Sequence, residues 1–308
     1  MVVFSLPLFR RYAALEFNYA LKRSFWCGSV YHCKEDKTKD LESAKTGTIN
    51  KTDVNYHYDI REVKHHETMA KDWWNPQGSM KALHAMNDLR IPFIKNGLVN
   101  SHRLKANEVK NKVKFLEGIK ILDIGCGGGI LSEALARVGG SVTGIDPSEG
   151  LIAVARAHAL SLQNTTPPSY DVTTVEQYAP GVAATYDVAV ASEVIEHVPD
   201  KESFLAATVA TLKLGGSVFM TTPNRTMMSW LGGIVMAENV LNIVPKGTHN
   251  YSKFIKPSEL STLLEKNGCS VQLVNGMFYD PMRNRWMWSP TKAFIYAIHA
   301  IKIKDLSR

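Results

Sequence analysis

From Lys120 onward, short runs of continuous apolar residues alternate with stretches whose apolar positions recur every three or four residues. Continuous runs suit strands buried on both faces, and the longer recurrence suits amphipathic helices that cover them. The pattern predicts strands over Lys120–Ile124, Ser141–Ile145, Ser169–Val175, Asp187–Ala191 and Ser217–Thr222, with helices over Ile130–Val138, Glu149–Leu160 and Lys201–Leu212. Such alternation of strand and helix is the mark of a parallel sheet. Farther on, Ser258 is placed to cap a helix from Glu259 to Lys266 that Gly268 stops, and Val271–Val274 and Ala293–Ile303 read as two final strands. Ahead of the core, from about Asn55 to Leu98, the pattern is helical and rich in aromatic residues, with Leu83, Met86, Leu89 and Ile91 near helical spacing. No internal repeat is visible.

Composition changes this picture mainly at the ends. At 308 residues with 45% hydrophobic and 21% charged residues, the chain suits one sizeable domain with appendages. The net charge of +7 admits a nucleic acid, an anionic membrane or an organelle address as its reason. Residues 1–34 set Arg10, Arg11, Lys22, Arg23 and Lys34 against the single acid Glu16 and interleave them with Phe4, Leu8, Tyr12, Leu15 and Phe17. That acid-poor, amphipathic start reads as a mitochondrial transit peptide. Residues 35–54 are polar and charged and read as a disordered linker, which leaves 55–308 as the folded domain. Cys27, Cys33, Cys126 and Cys269 are scattered without a CxxC pair, against a disulfide framework or a zinc knuckle. An insertion at about 226–250 contains Met227–Val244, which is mostly apolar but interrupted by Glu238, Asn239 and Asn242. It is too polar to span a bilayer. It could lie in a membrane interface, cover an apolar substrate or pack on the protein itself.

The chemistry concentrates where strands end. Ile121–Ile124 runs into Gly125-Cys126-Gly127-Gly128-Gly129, and the next predicted strand closes on Asp146. Glycines let backbone approach a ligand that a Cβ would push away, and an acid at the end of the second strand can accept from two ribose hydroxyls. A dinucleotide fingerprint wants glycine at the sixth position, where Ile130 stands. The tighter Gly125-x-Gly127-x-Gly129 spacing instead fits S-adenosylmethionine (SAM), which carries no phosphate. Asp146 also has a plainer reading, as a helix cap ahead of Pro147. Arg90 is the charged group best placed to meet a cofactor carboxylate; its alternative is a solvated arginine.

Past the fourth strand comes Ser192-Glu193-Val194-Ile195-Glu196-His197. One helical turn would put Glu193, Glu196 and His197 on one face, a donor set suited to a divalent cation. Alternatively Glu193 touches the cofactor while His197 acts as a general base. A solvent-facing acidic turn is the third possibility.

The blocks WWNPQG (Trp73–Gly78), LHAMNDLR (Leu83–Arg90), ILDIGCGGGILSE (Ile121–Glu133), GIDPS (Gly144–Ser148), ASEVIEHV (Ala191–Val198) and TTPNR (Thr221–Arg225), with GTHNYSKFIKP (Gly247–Pro257), resemble the O-methyltransferases of ubiquinone biosynthesis from about Asn55 to Ile303. The glycine motif is common to SAM-dependent methyltransferases; the WWNP and LHAMN blocks are far more specific. The resemblance implies an α/β fold of the class I SAM-dependent methyltransferase kind, with a Rossmann-like, mostly parallel sheet and helices on both faces. It implies SAM contacts from Arg90, Gly125, Gly127, Asp146 and Ser192, and a divalent ion such as Mg²⁺ on Glu193, Glu196 and His197. It further implies polyprenylated phenolic substrates, a polyprenyl-dihydroxybenzoate and a demethylubiquinol. The implied setting is peripheral, on the anionic matrix face of the mitochondrial inner membrane, beside other proteins of a ubiquinone biosynthesis complex. Asn75 departs from the resemblance, since the family often has Asp there. A nucleic-acid methyltransferase is disfavoured: Thr222-Pro223-Asn224 replaces an amino-directed Asn/Asp-Pro-Pro-aromatic motif, and no RNA-binding module is visible. A non-catalytic assembly subunit would not need the glycines, Asp146 and the acid–histidine set together.

Overall fold

The computed structural model describes residues 72–163, 165–227, 229 and 253–306, all within one unit, Val54–Arg308. The leader at 1–34, the linker at 35–54, the helical pattern before residue 72 and nearly all of the 226–250 insertion lie outside the described residues.

The strands are β1 (Lys120–Ile124), β2 (Ser141–Asp146), β3 (Ser169–Val172), β4 (Tyr186–Ser192), β5 (Leu212–Pro223), β6 (Cys269–Asp280), β7 (Arg285–Ser289) and β8 (Ile295–Lys302). They form one sheet in the order β3-β2-β1-β4-β5-β8-β6-β7. The pairs β3–β2, β2–β1, β1–β4 and β4–β5 are parallel. Strand β8 is inserted antiparallel between β5 and β6, and β7 closes the edge as the second arm of a hairpin with β6. The main helices are α1 (Lys81–Asn100), α2 (Ile130–Arg137), α3 (Glu149–Ala159), α4 (Lys201–Thr211) and α5 (Pro257–Lys266).

Period-two alternation along the central strands divides the core into two layers. Ile121, Val188, Val190 and Phe219 pack with Met86, Phe93 and Ile94 of α1 and Leu131 and Leu135 of α2. Leu122, Ala189, Val218 and Met220 pack on the other face with Phe204 and Leu205 of α4 and Leu260 and Leu264 of α5. This is the mostly parallel sheet with helices on both faces that the sequence predicts.

Differences from the predicted elements have local causes. β3 stops at Val172, because Thr174 begins a helical turn, Val175–Tyr178. β6 is longer than the expected Val271–Val274, β8 is slightly shorter than the expected Ala293–Ile303, and β7 was missed: its Arg285-Trp286-Met287-Trp288 alternation is short and flanked by charge. The helix near Ser258 starts earlier, with Lys256 as its cap and Pro257 in the first turn, and the Glu259 carboxylate accepts from the Lys256 N–H at 3.2 Å. Proline's fixed φ and missing N–H suit that first-turn position, so Ser258 lies inside the helix and does not cap it.

Candidate active site

Strand order reverses between β1 and β4, and ligands of open α/β sheets bind at the carboxyl ends of strands flanking such a switch point. The glycine turn leaves β1 there, and Ser192 ends β4 there. The turn is tied to β2, because the N–H groups of Gly125 and Cys126 both donate to Ile145 O, at 2.8 and 3.0 Å. Gly125 has φ +67°, and a Cβ on it would lie 2.5 Å from Val194. Gly127 has φ +53°, and a Cβ there would meet the Trp73 ring at 2.6 Å. Both positions therefore require glycine for conformation and for space.

Asp146 is buried and organises this turn. Its carboxylate accepts from the Gly127 N–H and the Ser148 N–H, both at 2.9 Å. The capping of α3 falls instead to Ser148, whose hydroxyl accepts from Leu151 N.

Arg90 is 4% exposed, which rules out the solvated reading. Its guanidinium donates to Ser192 Oγ at 2.8 Å, to Asn87 Oδ1 and to Leu83 O. Burial lowers its pKa to about 10, against the opposing pull of Asp123 and Glu193. Gly125, Gly127 and Asp146 are thus gathered at the end of β1 and β2, with Arg90 and Ser192 in direct contact at the end of β4.

Sequence reasoning gave no role to Asp123 or to the tryptophans. Asp123 lies beneath the turn, raised to about 6 by burial, and accepts from Ser132 Oγ at 2.6 Å. Trp74 Nε1 donates to Gly128 O at 2.9 Å, and its ring stacks on His158 at 3.5 Å. His158 Nδ1 in turn lies 2.7 Å from the buried Glu133 carboxylate. The WWNP block therefore clamps the outer side of the glycine turn. Asn75, its departure from the family pattern, is exposed and bonds only nearby groups, Asp72 Oδ1 and Gln77 N.

The acid–histidine set departs from the helical face expected of it. Glu193 holds φ +59° and precedes a 3₁₀ turn, Ile195–His197. That turn cannot lengthen, because Val198 precedes Pro199 and takes the extended conformation this favours, φ −88° and ψ 124°. Among the described residues, no three His, Cys, Asp or Glu side chains stand together at ligand spacing. What the turn brings together is a carboxylate pair, Glu196 buried and Glu193 half-buried. Glu196 accepts from Thr222 Oγ1 at 2.8 Å and lies 3.9 Å from His197 Nε2, whose side chain is 41% exposed. Glu193 hydrogen-bonds Thr221, while its Oε1 is buried without a partner. Burial, then the Glu196 charge, pushes Glu193 up to about 8, and burial raises Glu196 despite the pull of His197. Buried like charges and an orphaned oxygen are what a hard divalent cation relieves, so the donor chemistry fits one. Thr221 and Thr222 were visible only as part of the TTPNR block. Their roles depend on β5 pairing with β4 in register, Thr221 opposite Ser192.

Comparison with known proteins places these features in a family. A methyltransferase-domain family profile matches residues 100–274. The mouse protein "Ubiquinone biosynthesis O-methyltransferase, mitochondrial" is 44% identical over 79% of this chain, and the human one is 45% identical over the same share. In both cases the match spans 65% of the relative's length. "Ubiquinone biosynthesis O-methyltransferase" of Cronobacter sakazakii is 39% identical, covering 81% of this chain and 96% of its own. A solved putative methyltransferase from Haloferax volcanii, in complex with the Trm112 activator, shares the fold with a TM-score of 0.50 at 15% identity, covering 78% of this chain and 98% of its own.

Proposed function

The chain belongs to the ubiquinone biosynthesis O-methyltransferases, and from that premise we propose that it transfers the methyl group of SAM to a ring hydroxyl of a polyprenylated catechol or hydroquinone. The proposed substrates are a polyprenyl-dihydroxybenzoate and a demethylubiquinol. The observation that carries the reading is the Glu193–Glu196 carboxylate pair, with its buried, orphaned oxygen, beside the glycine turn and Asp146. A phenol hydroxyl is a poor nucleophile while protonated, with an ordinary pKa of about 10.

SAM supplies the electrophilic methyl when bound, and a divalent ion such as Mg²⁺, if held by the Glu193 and Glu196 carboxylates, would supply positive charge that favours the phenolate. The protein's own side chains do the rest. Gly125 and Gly127 leave room for close backbone approach. Asp146, at the end of β2, would accept from the ribose hydroxyls. Arg90, held by Ser192 and Asn87, supplies the cation for a cofactor carboxylate. His197, on the open side of the pair, would accept the phenolic proton. Holding the ring oxygen in line with the methyl group provides the proximity part of catalysis. Glu193→Ala and Glu196→Ala are each expected to lower kcat about 100-fold or more while SAM affinity stays within about threefold of wild type by calorimetry. Loss of SAM affinity instead would move these acids to the cofactor site.

We infer a mitochondrial, peripheral location on the matrix side of the inner membrane, in company with other proteins of ubiquinone synthesis. Support comes from the basic amphipathic start and the apolar run Met227–Val244. Among the described residues no helix is long and apolar enough to cross a membrane. A polyprenyl tail does not leave the bilayer readily, and a basic protein with an apolar segment is attracted to an anionic leaflet. Removing Met227–Val244 should abolish flotation with cardiolipin-containing vesicles; undiminished flotation would contradict this location.

A further inference from the structure

The hairpin at the sheet's edge ends in an apolar tip. Between β6 and β7 the turn at 281–284 holds Met282 outward, 96% exposed. The turn is firmly built: the Asp280 carboxylate accepts from the Met282 N–H and from Arg283 Nη1, both at 3.0 Å, and Tyr279 donates to Asn284 Oδ1 at 2.7 Å. At the hairpin's base, Trp286 Nε1 donates to Ala82 O of α1 at 2.8 Å. Cross-strand register sets Phe278 opposite Met287 on one face, and both are exposed. The loop returning to β8 crosses that face, because Gly276 leaves no room for a Cβ against Thr291 O and the Phe294 ring meets Phe278 at 6.0 Å. The loop brings the exposed Lys292 to the same region.

Charge and position single out an occupant. Residues 269–304 contain one acid, Asp280, and Arg283 is paired with it. Arg285 and Lys292 are exposed and have no carboxylate partner among the described residues. Register fixes where the tip lies. Pro223 of β5 is level with Ile295 of β8, and Ile295 with Met277 of β6. Strand β6 runs three residues farther to Asp280, about 10 Å beyond that row. The tip therefore projects from the edge of the sheet at which Thr222 holds Glu196, and at which the exposed Met227 follows β5. A four-residue turn is too narrow for the roughly 800 Å² per partner of a stable protein interface. Pairing of β7 with a second copy is disfavoured by its five-residue length and its exposed Arg285. Apolar side chains on a narrow projection, flanked by free cations, match a bilayer of anionic lipid.

We propose that the β6–β7 tip is a membrane-docking point, at which Met282, Phe278 and Met287 enter the headgroup boundary while Arg285 and Lys292 meet lipid phosphates. This rests on the peripheral-membrane reading above and names a surface for it apart from Met227–Val244. Docking by this tip turns the carboxyl edge of the sheet toward the bilayer, so that a prenylated ring can reach the acid pair while its tail stays in lipid.

The test is flotation of the full chain with phosphatidylcholine vesicles, with and without cardiolipin, in low and in high salt. Wild type should bind the cardiolipin vesicles about tenfold or more tightly, with the advantage shrinking in salt. Met282→Asp should weaken that binding about fivefold or more, and the double change Arg285→Gln with Lys292→Gln about tenfold or more, with Tm unchanged in both. If both variants float like wild type while removal of Met227–Val244 abolishes flotation, the tip proposal falls and the peripheral reading stands. Wild type that floats with neither vesicle overturns both. A wild-type dimer that Met282→Asp dissociates, seen by light scattering, would assign the tip to a second copy and overturn the lipid contact.

Discussion

Burial does not act alike on the titratable side chains of this protein, because their neighbours differ. Glu193 is raised by burial and by a second carboxylate, a state that invites a cation or a shared proton. Arg90 is more deeply buried but surrounded by acceptors, so it stays charged. His299 is buried between the sheet and α1, stacked on Phe219 at 4.3 Å and 3.1 Å from Ser217 Oγ, and burial lowers its pKa from 6.5 to about 4. For a base whose folded pKa is depressed, the unfolded chain takes up the proton first. The stability it contributes is therefore complete above pH 6.5 and is lost as pH falls through the folded pKa near 4. Thermal unfolding should show Tm falling across that window, with a visibly shallower slope in His299→Gln; parallel slopes would contradict the assignment. The sequence disclosed the identity of Glu193, Arg90 and Asp146 but not their states. Those states depend on what packs over them, and only the folded sheet brings Ser192 within 2.8 Å of Arg90, across 102 residues of chain.

At the level of elements, the glycine turn was legible because its requirements are local. A strand, left-handed φ values and a following helix can all be read from one stretch of chain. Gly125→Ala tests it: Cβ would meet Val194 at 2.5 Å while φ stays at +67°. Left-handed backbone at a non-glycine residue costs about 1–2 kcal/mol before any clash. SAM affinity is expected to fall about tenfold or more, with a lowered Tm, whereas affinity equal to wild type would show that the turn does not cradle the cofactor. The acidic turn was less legible. Spacing alone allowed an α-helical face, but the pairing of Val198 with Pro199 limits the segment to three residues of 3₁₀ helix. Strand β7 was missed for a related reason, because a five-residue edge strand carries too little periodicity to stand out from a charged loop. The tryptophan clamp had no signal in spacing at all. It is visible only through the Trp74 bond to Gly128, 54 residues away.

For the molecule as a whole, topology turns separated motifs into one site. The order β3-β2-β1-β4-β5 sets the ends of β1, β2, β4 and β5 side by side, so the glycine turn, Asp146, Ser192 and the two threonines share one edge of the sheet. The antiparallel β8 beside β5 brings Tyr296 and the Ile255 segment against the acid pair. The fold class was readable from strand–helix alternation, and the chemistry from strand-end motifs. The leader and the apolar insertion remain arguments from sequence, since 1–71 and 230–252 are outside the described residues. The most direct measurement is transfer of labelled methyl from SAM to a short-tailed catechol, followed as label in the aryl methyl ether, with chelator and then with Mg²⁺ restored. The expected result is a labelled ether that falls about tenfold or more under chelator and returns with the ion. SAM binding without any labelled ether in either condition would contradict it.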